Sequence, residues 1–328
     1  LDTAFPSVVT FDTESVAVDI EVQKRRIAPF VSPLVEGKVI EELGNETVEF
    51  KPAYLKPKTP LTPEKSLQRA LGEQIGGAPE MTAGQRMQLR AARVLADHYD
   101  IIVRRLEVMA SEALRLGRVT VSGEGYATKI VNYGRNAGLT IVLEVGLKWS
   151  DAGSNPAKDI EEAAESVHKL EGAAITDIVM DPDAWAVFKE NANVQKLLTL
   201  AGGLYPQLTG VNAINLGPAT FADVEGAKFV GVFGTFNLWV YSDWYIDPAD
   251  GVEKPILPSG TVIGIAKNQI DGVRAHGAIL DERAGLQALE IFPKSWVIED
   301  PSVRILMCQS APLVVPKRPN ASFSISVL

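Results

Sequence analysis

The sequence predicts an α+β protein of two compact units with extended arms, and three observations carry that reading. A strong amphipathic helix signal runs over 82–117, helices and strands intermix after residue 156, and residues 32–63 lack the apolar content to form a core of their own. The 328 residues are 46% apolar, enough for a sizeable core. No apolar run reaches 18 residues, so no transmembrane helix is expected. The start of the chain is neither basic nor apolar enough for a signal peptide, and its first residue, Leu1, suggests that numbering begins after a removed or omitted leader.

Residues 1–29 read as an N-terminal arm with short alternating strands such as 15–22. The cluster Lys24, Arg25 and Arg26 marks a solvated face or an interface salt bridge more readily than a phosphate contact. Residues 30–62 follow as an extended loop. Runs at 35–43 and 47–54 are joined at Gly44-Asn45, a hairpin signal, and Pro52, Pro57, Pro60 and Pro63 then keep the chain extended. A lone two-stranded ribbon is marginal in water, and ordering its backbone costs about 1–2 kcal/mol per residue. Such an arm is worth ordering only against a large neighbouring surface. Val35, Lys38, Ile40, Glu42, Val48, Phe50, Lys51 and Tyr54, with Lys24, Arg25 and Arg26, are therefore the candidate subunit-interface residues.

A short helical pattern at 63–71 leads to the long helix. Thr82 and Gln85 make a capping box, Gly117 supplies the stop, and Leu89, Val94, Leu95, Ile101, Ile102, Leu106, Met109, Ala113 and Leu116 recur at helical spacing. Strands are expected at 118–122, 127–133 and 139–149, with Ser122 to Gly125 as a hairpin turn. A compact unit then spans 156–285, with helices at 156–172 and 183–200 and strands at 175–180, 229–241 and 262–265. The strand-like runs 288–298, 303–309 and 322–327 are expected to return to the strands after the long helix. One unit thus comprises 63–155 and 286–328, with the other inserted in it.

Candidate chemistry is sparse. His98, His168 and His276 have no second ligand at metal spacing, so neither a metal nor another cofactor is expected. Asp181 and Asp183 resemble a carboxylate pair, but a helix begins beside them and Asp183 fits an N-cap. The glycines of 122–125, 202–203 and 231–234 lack a phosphate-loop lysine. Cys308 lies in an apolar strand and reads as a buried structural thiol. A net charge of −9 argues against a protein that grips nucleic acid over its whole surface. No enzyme, small-molecule substrate or membrane is expected, although a hydrolase using Asp181, Asp183 and His276 is a distant alternative.

Several motifs carry a family resemblance: residues 29–63, SGEGY at 122–126, NYGR at 132–135, Trp149-Ser150, MDPDAWAVFKE at 180–190, LPSGTVIG at 257–264, FPKSW at 292–296, EDP at 299–301 and QSAPLVV at 309–315. The chain resembles the major capsid proteins of tailed bacteriophages in the lambda-like E family. The resemblance implies the tailed-phage (Hong Kong 97-like) capsid fold: arm 1–29, extended loop 30–62, peripheral domain 63–155 and 286–328 with spine helix 82–117, and axial domain 156–285. It also implies homo-oligomers, with hexamers and pentamers in an icosahedral shell around double-stranded DNA. Scaffold, portal and decoration proteins are the implied partners, with assembly in the host cytoplasm and residence in the virion. A cellular encapsulin-type shell of the same fold is the nearer alternative.

Overall fold

The computed structural model describes residues 3–13, 15–21, 45–64, 82–123, 125–196 and 226–328. The chain opens with strands β1 (Ser7–Thr10), β2 (Val16–Glu21), β3 (Asn45–Phe50) and β4 (Lys58–Leu61). Helix α1 (Ala83–Leu116) leads to β5 (Arg118–Gly123), β6 (Tyr126–Asn132) and β7 (Thr140–Val142). Next come α2 (Pro156–Glu171), β8 (Asp177–Met180), α3 (Pro182–Glu190), β9 (Ala227–Phe233) and β10 (Phe236–Tyr241). A small hairpin, β11 (Trp244–Ile246) and β12 (Glu253–Pro255), precedes β13 (Thr261–Ile265) and β14 (Gly272–His276). The last strands are β15 (Phe292–Ile298), β16 (Val303–Gln309), β17 (Pro312–Pro316) and β18 (Ser322–Ser326).

Helix α1 starts and stops where its chemistry requires. The Thr82 hydroxyl accepts from the Gln85 N–H while the Gln85 side chain accepts from the Thr82 N–H, so two orphan donors are satisfied reciprocally. Gly117 ends the helix at φ 66°, in the left-handed region, and its N–H returns to the Ala113 carbonyl. A side chain there is excluded twice over, because an added Cβ would also lie 2.5 Å from the Arg135 Cβ.

The core is organised by a six-stranded mixed sheet in the order β7-β18-β13-β8-β10-β9. Both α1 and α2 pack against β18, and Ser322 to Ile325 are all buried, which requires cover on both faces of the strand. Gly264 stands opposite Phe323 in the β13–β18 ladder, and a Cβ there would collide with the Phe323 ring, 2.1 Å from its Cε1. Two three-stranded sheets, β1-β14-β17 and β15-β16-β4, complete the body. Strand pairing crosses the divisions expected at 155 and 285, since β7 and β18 join the sheet of β8, β13, β10 and β9, while β14 pairs with β1 and β17.

Several expectations need correction. The run 322–327 does return to the region after the long helix, with β18 parallel to β7, but β15 and β16 pair with β4 rather than with the β5–β6 hairpin. The strand expected over 139–149 is only three residues long, because a tight turn built on Asp151 occupies the rest. The helix expected over 183–200 is interrupted at Asn191, which leaves helical geometry and whose side chain accepts from the Asn193 N–H; helical turns resume over 192–196, and 197–200 lie outside the described residues. The N-cap of that helix is Asp181, not Asp183: Pro182 sits at the first helical position, so the donors available to a cap belong to Asp183 and Ala184. Finally, β3 pairs antiparallel with β2, so the arm and the loop form one ribbon rather than two separate extensions. The partner strand expected at 35–43, and most of the helical pattern at 63–71, lie outside the described residues.

Candidate assembly surfaces

The ribbon has a firmly held root. After β3 the chain turns into the body, where buried Pro52 lies against Gly277 and the Phe50 ring meets Tyr133 edge-on at 6.2 Å. The Tyr126 hydroxyl donates to the Lys51 carbonyl at 3.2 Å, and the Tyr54 hydroxyl donates to the Ala278 carbonyl at 2.7 Å. Leu55 exchanges backbone hydrogen bonds with Ser310, and β4 then adds to β16. Thr59 Oγ1 lies 2.8 Å from Nε2 of buried His98, tying this root to α1. Of the candidate interface residues, Phe50, Lys51 and Tyr54 are thus brought together on their own chain. Val48 stands in β3 opposite Val18. Val35, Lys38, Ile40, Glu42, Lys24, Arg25 and Arg26 lie outside the described residues.

At the other end of α1, Arg135 closes the helix onto the sheet. Its guanidinium donates to the Leu114 carbonyl, to the Arg115 carbonyl and Thr140 Oγ1 at 2.5 Å each, while Ser324 Oγ donates to the Arg115 carbonyl at 2.6 Å. A cation at a helix C-terminus meets the negative end of the macrodipole and satisfies carbonyls that have no partner within the helix. Burial pushes its pKa down to about 10, still well inside the charged range at neutral pH. Beside it the Tyr133 hydroxyl donates to the Val314 carbonyl, and burial raises its pKa. Charge and hydrophobic pattern had not marked this clasp; the NYGR motif was the signal that could have found it.

The groups considered for catalysis serve the fold and lie apart. The Asp181 carboxylate accepts from the N–H groups of Asp183, Ala184 and Thr261, and Asp183 accepts from Ser259 Oγ at 2.6 Å. His276 is buried in β14, in a different sheet, with its pKa lowered to about 4 by burial and then by the Arg274 charge. Among the described residues no group of three or more His, Cys, Asp or Glu side chains could hold a metal, and no helix is long and apolar enough to cross a membrane. Cys308 is buried, and burial raises its thiol pKa, which disfavours the reactive thiolate.

Comparisons with known proteins agree with this architecture. The sequence profile of the family described as phage major capsid protein E matches residues 1–327. The major capsid protein of Escherichia phage lambda is 31% identical over 97% of this chain and 90% of its own length. That of Enterobacteria phage phi80 is also 31% identical, over 98% of this chain and 92% of its own. Among solved structures, a capsid protein of a prophage of E. coli CFT073 superposes with a TM-score of 0.74 at 23% identity, covering 99% of this chain and 92% of that one. The mature capsid subunit of bacteriophage PhiM1 superposes at 0.51 and 10% identity, over 98% of this chain and 84% of its own, a likeness of fold alone.

Proposed function

The chain belongs to the phage major capsid protein E family and is a major capsid protein of tailed phages; on that premise we propose that its copies associate as hexamers and pentamers in an icosahedral shell around double-stranded DNA. The observation that carries the proposal is the ribbon with a fastened root. A two-stranded projection held at 50–61 but built of strands too few to be stable alone gains its remaining contacts from a neighbouring copy. Residues 35–48, with Val35, Lys38, Ile40, Glu42 and Val48, reach that neighbour, and Lys24, Arg25 and Arg26 supply charge at the same contact. Phe50, Lys51 and Tyr54 act at the root. The net charge of −9 suits a wall that encloses a polyanion without holding it. Scaffold, portal and decoration proteins complete the particle, which assembles in the host cytoplasm.

Removing residues 35–43 while keeping the root tests this directly. The variant is expected to retain the circular dichroism of the folded body and to form no closed particles by electron microscopy; normal shells from it would overturn the role of the ribbon. Nucleic acid inside wild-type particles supports a viral shell, whereas enzyme cargo would point to a cellular compartment.

A further inference from the structure

The turn after β7 presents apolar side chains to solvent on a rigid frame. Val142 is 71% exposed, Val145 92% and Leu147 57%, while Trp149, just beyond, is fully buried. The turn is ordered by its own hydrogen bonds. Asp151 Oδ2 accepts from the Gly146 N–H at 2.9 Å and the Lys148 N–H at 3.0 Å, Leu147 N–H donates to the Glu144 carbonyl, and Trp149 N–H donates to the Val327 carbonyl. Gly146 adopts φ 96°, a conformation L side chains rarely take, so the turn is shaped by a residue chosen for that bend. An apolar tip whose backbone is already held by hydrogen bonds loses less conformational freedom on association than a loose loop would, which is the property of a contact point.

The charges around the tip fit a second copy of the same chain as the partner. Glu144 and Lys148 bracket Val145 and Leu147, carry opposite signs, and form no ion pair among the described residues. When identical subunits meet head to tail around a rotation axis, one flank of each tip faces the opposite flank of the next. Opposite charges on the two flanks are complementary in that arrangement at every contact, and the apolar residues between them meet their own kind.

We propose that the 142–148 turn is a head-to-tail contact between copies of this chain around a rotation axis, with Val145 and Leu147 of one copy packing against those of the next and Glu144 of one copy pairing with Lys148 of the next. This rests on the reading of the protein as a shell subunit. It adds a second contact, separate in sequence from the ribbon.

Charge reversal separates the two readings. Glu144→Lys alone and Lys148→Glu alone place like charges at each contact and are expected to lower particle yield by roughly tenfold at low salt, equivalent to about 1.4 kcal/mol, with partial recovery at high ionic strength. The double variant restores opposite signs and should recover wild-type yield. Val145→Asp should block assembly at any salt. Circular dichroism and unfolding of the unassembled chains control for folding, and Glu144→Lys, on an exposed side chain, is the variant least able to disturb the turn. Wild-type shells with normal yields from both single reversals would overturn this contact while leaving the shell reading intact, whatever other protein binds the tip. Failure of the double variant to recover would also overturn it. A wild-type chain that forms no shells would remove the shell reading and this contact with it.

Discussion

The two halves of α1 are one continuous helix made by different means. From Ala83 to Asp97 no side chain is buried by the described residues, and the helix stands on its capping box and on residues of good helical propensity. From His98 onward Ile102, Leu106, Met109, Ala110, Ala113 and Leu114 are buried, and Arg135 seals the end. The first half is helical for local reasons and the second for tertiary ones. The difference teaches that an amphipathic stripe declares which face can be buried, not how completely the described residues bury each part of it. Leu89, Val94 and Leu95 belong to the same stripe as Leu106 and remain only half-buried.

Substitutions at the two ends should therefore differ in size. Arg135→Ala strips charge-assisted hydrogen bonds from the helix C-terminus and is expected to destabilise the unassembled chain by about 3 kcal/mol in urea unfolding. A change below 1 kcal/mol would mean that Ser324 alone suffices to cap the helix. Leu106→Ala should cost about 3 kcal/mol through lost burial and a cavity, whereas Leu89→Ala should cost less than 1 kcal/mol. Equal costs would erase the contrast.

Acid sharpens the comparison from another side. His98, at the point where α1 enters the body, has its pKa lowered by burial, with Asp97 opposing, and His276 is lowered to about 4. Both histidines are held neutral when folded, so the stability they contribute is complete above the ordinary value near 6.5 and is lost as pH falls toward the folded values. For His276 the loss should run at about 1.4 kcal/mol per pH unit between roughly 6.5 and 4. His276→Gln should flatten that slope in pH-dependent unfolding, and an unchanged slope would place the titration elsewhere. Thr82→Ala should cost about 1 kcal/mol from the lost cap, well below the losses expected at Arg135 and Leu106. A loss several times larger would show that the N-terminal half is held by more than its cap.

Local chemistry made much of the fold legible. The capping box at Thr82, the stop at Gly117, the hairpin turn at 122–125 and the strands around 177–180, 227–241 and 261–265 all depend on periodicity and on turn residues, which neighbouring positions alone can specify. Asp181 was misread as a bystander to Asp183 because the cap depends on where Pro182 falls by a single residue. The proposed assembly surface was drawn from the ribbon composition, whereas nothing in the sequence marked the exposed tip at Val145, since an apolar residue in a strand-like run is expected to be inside.

The sequence by itself determined where the long helix begins and ends, which runs extend, and the family to which the chain belongs, because caps, glycines and alternation act over a few residues and motifs need no coordinates. Only the tertiary structure decided that β3 pairs with β2, that β4 joins β16 and that Arg135 closes α1 onto β18. Those choices join residues tens to hundreds of positions apart. They turn on which surfaces meet once the whole core has formed, and no local pattern contains that information.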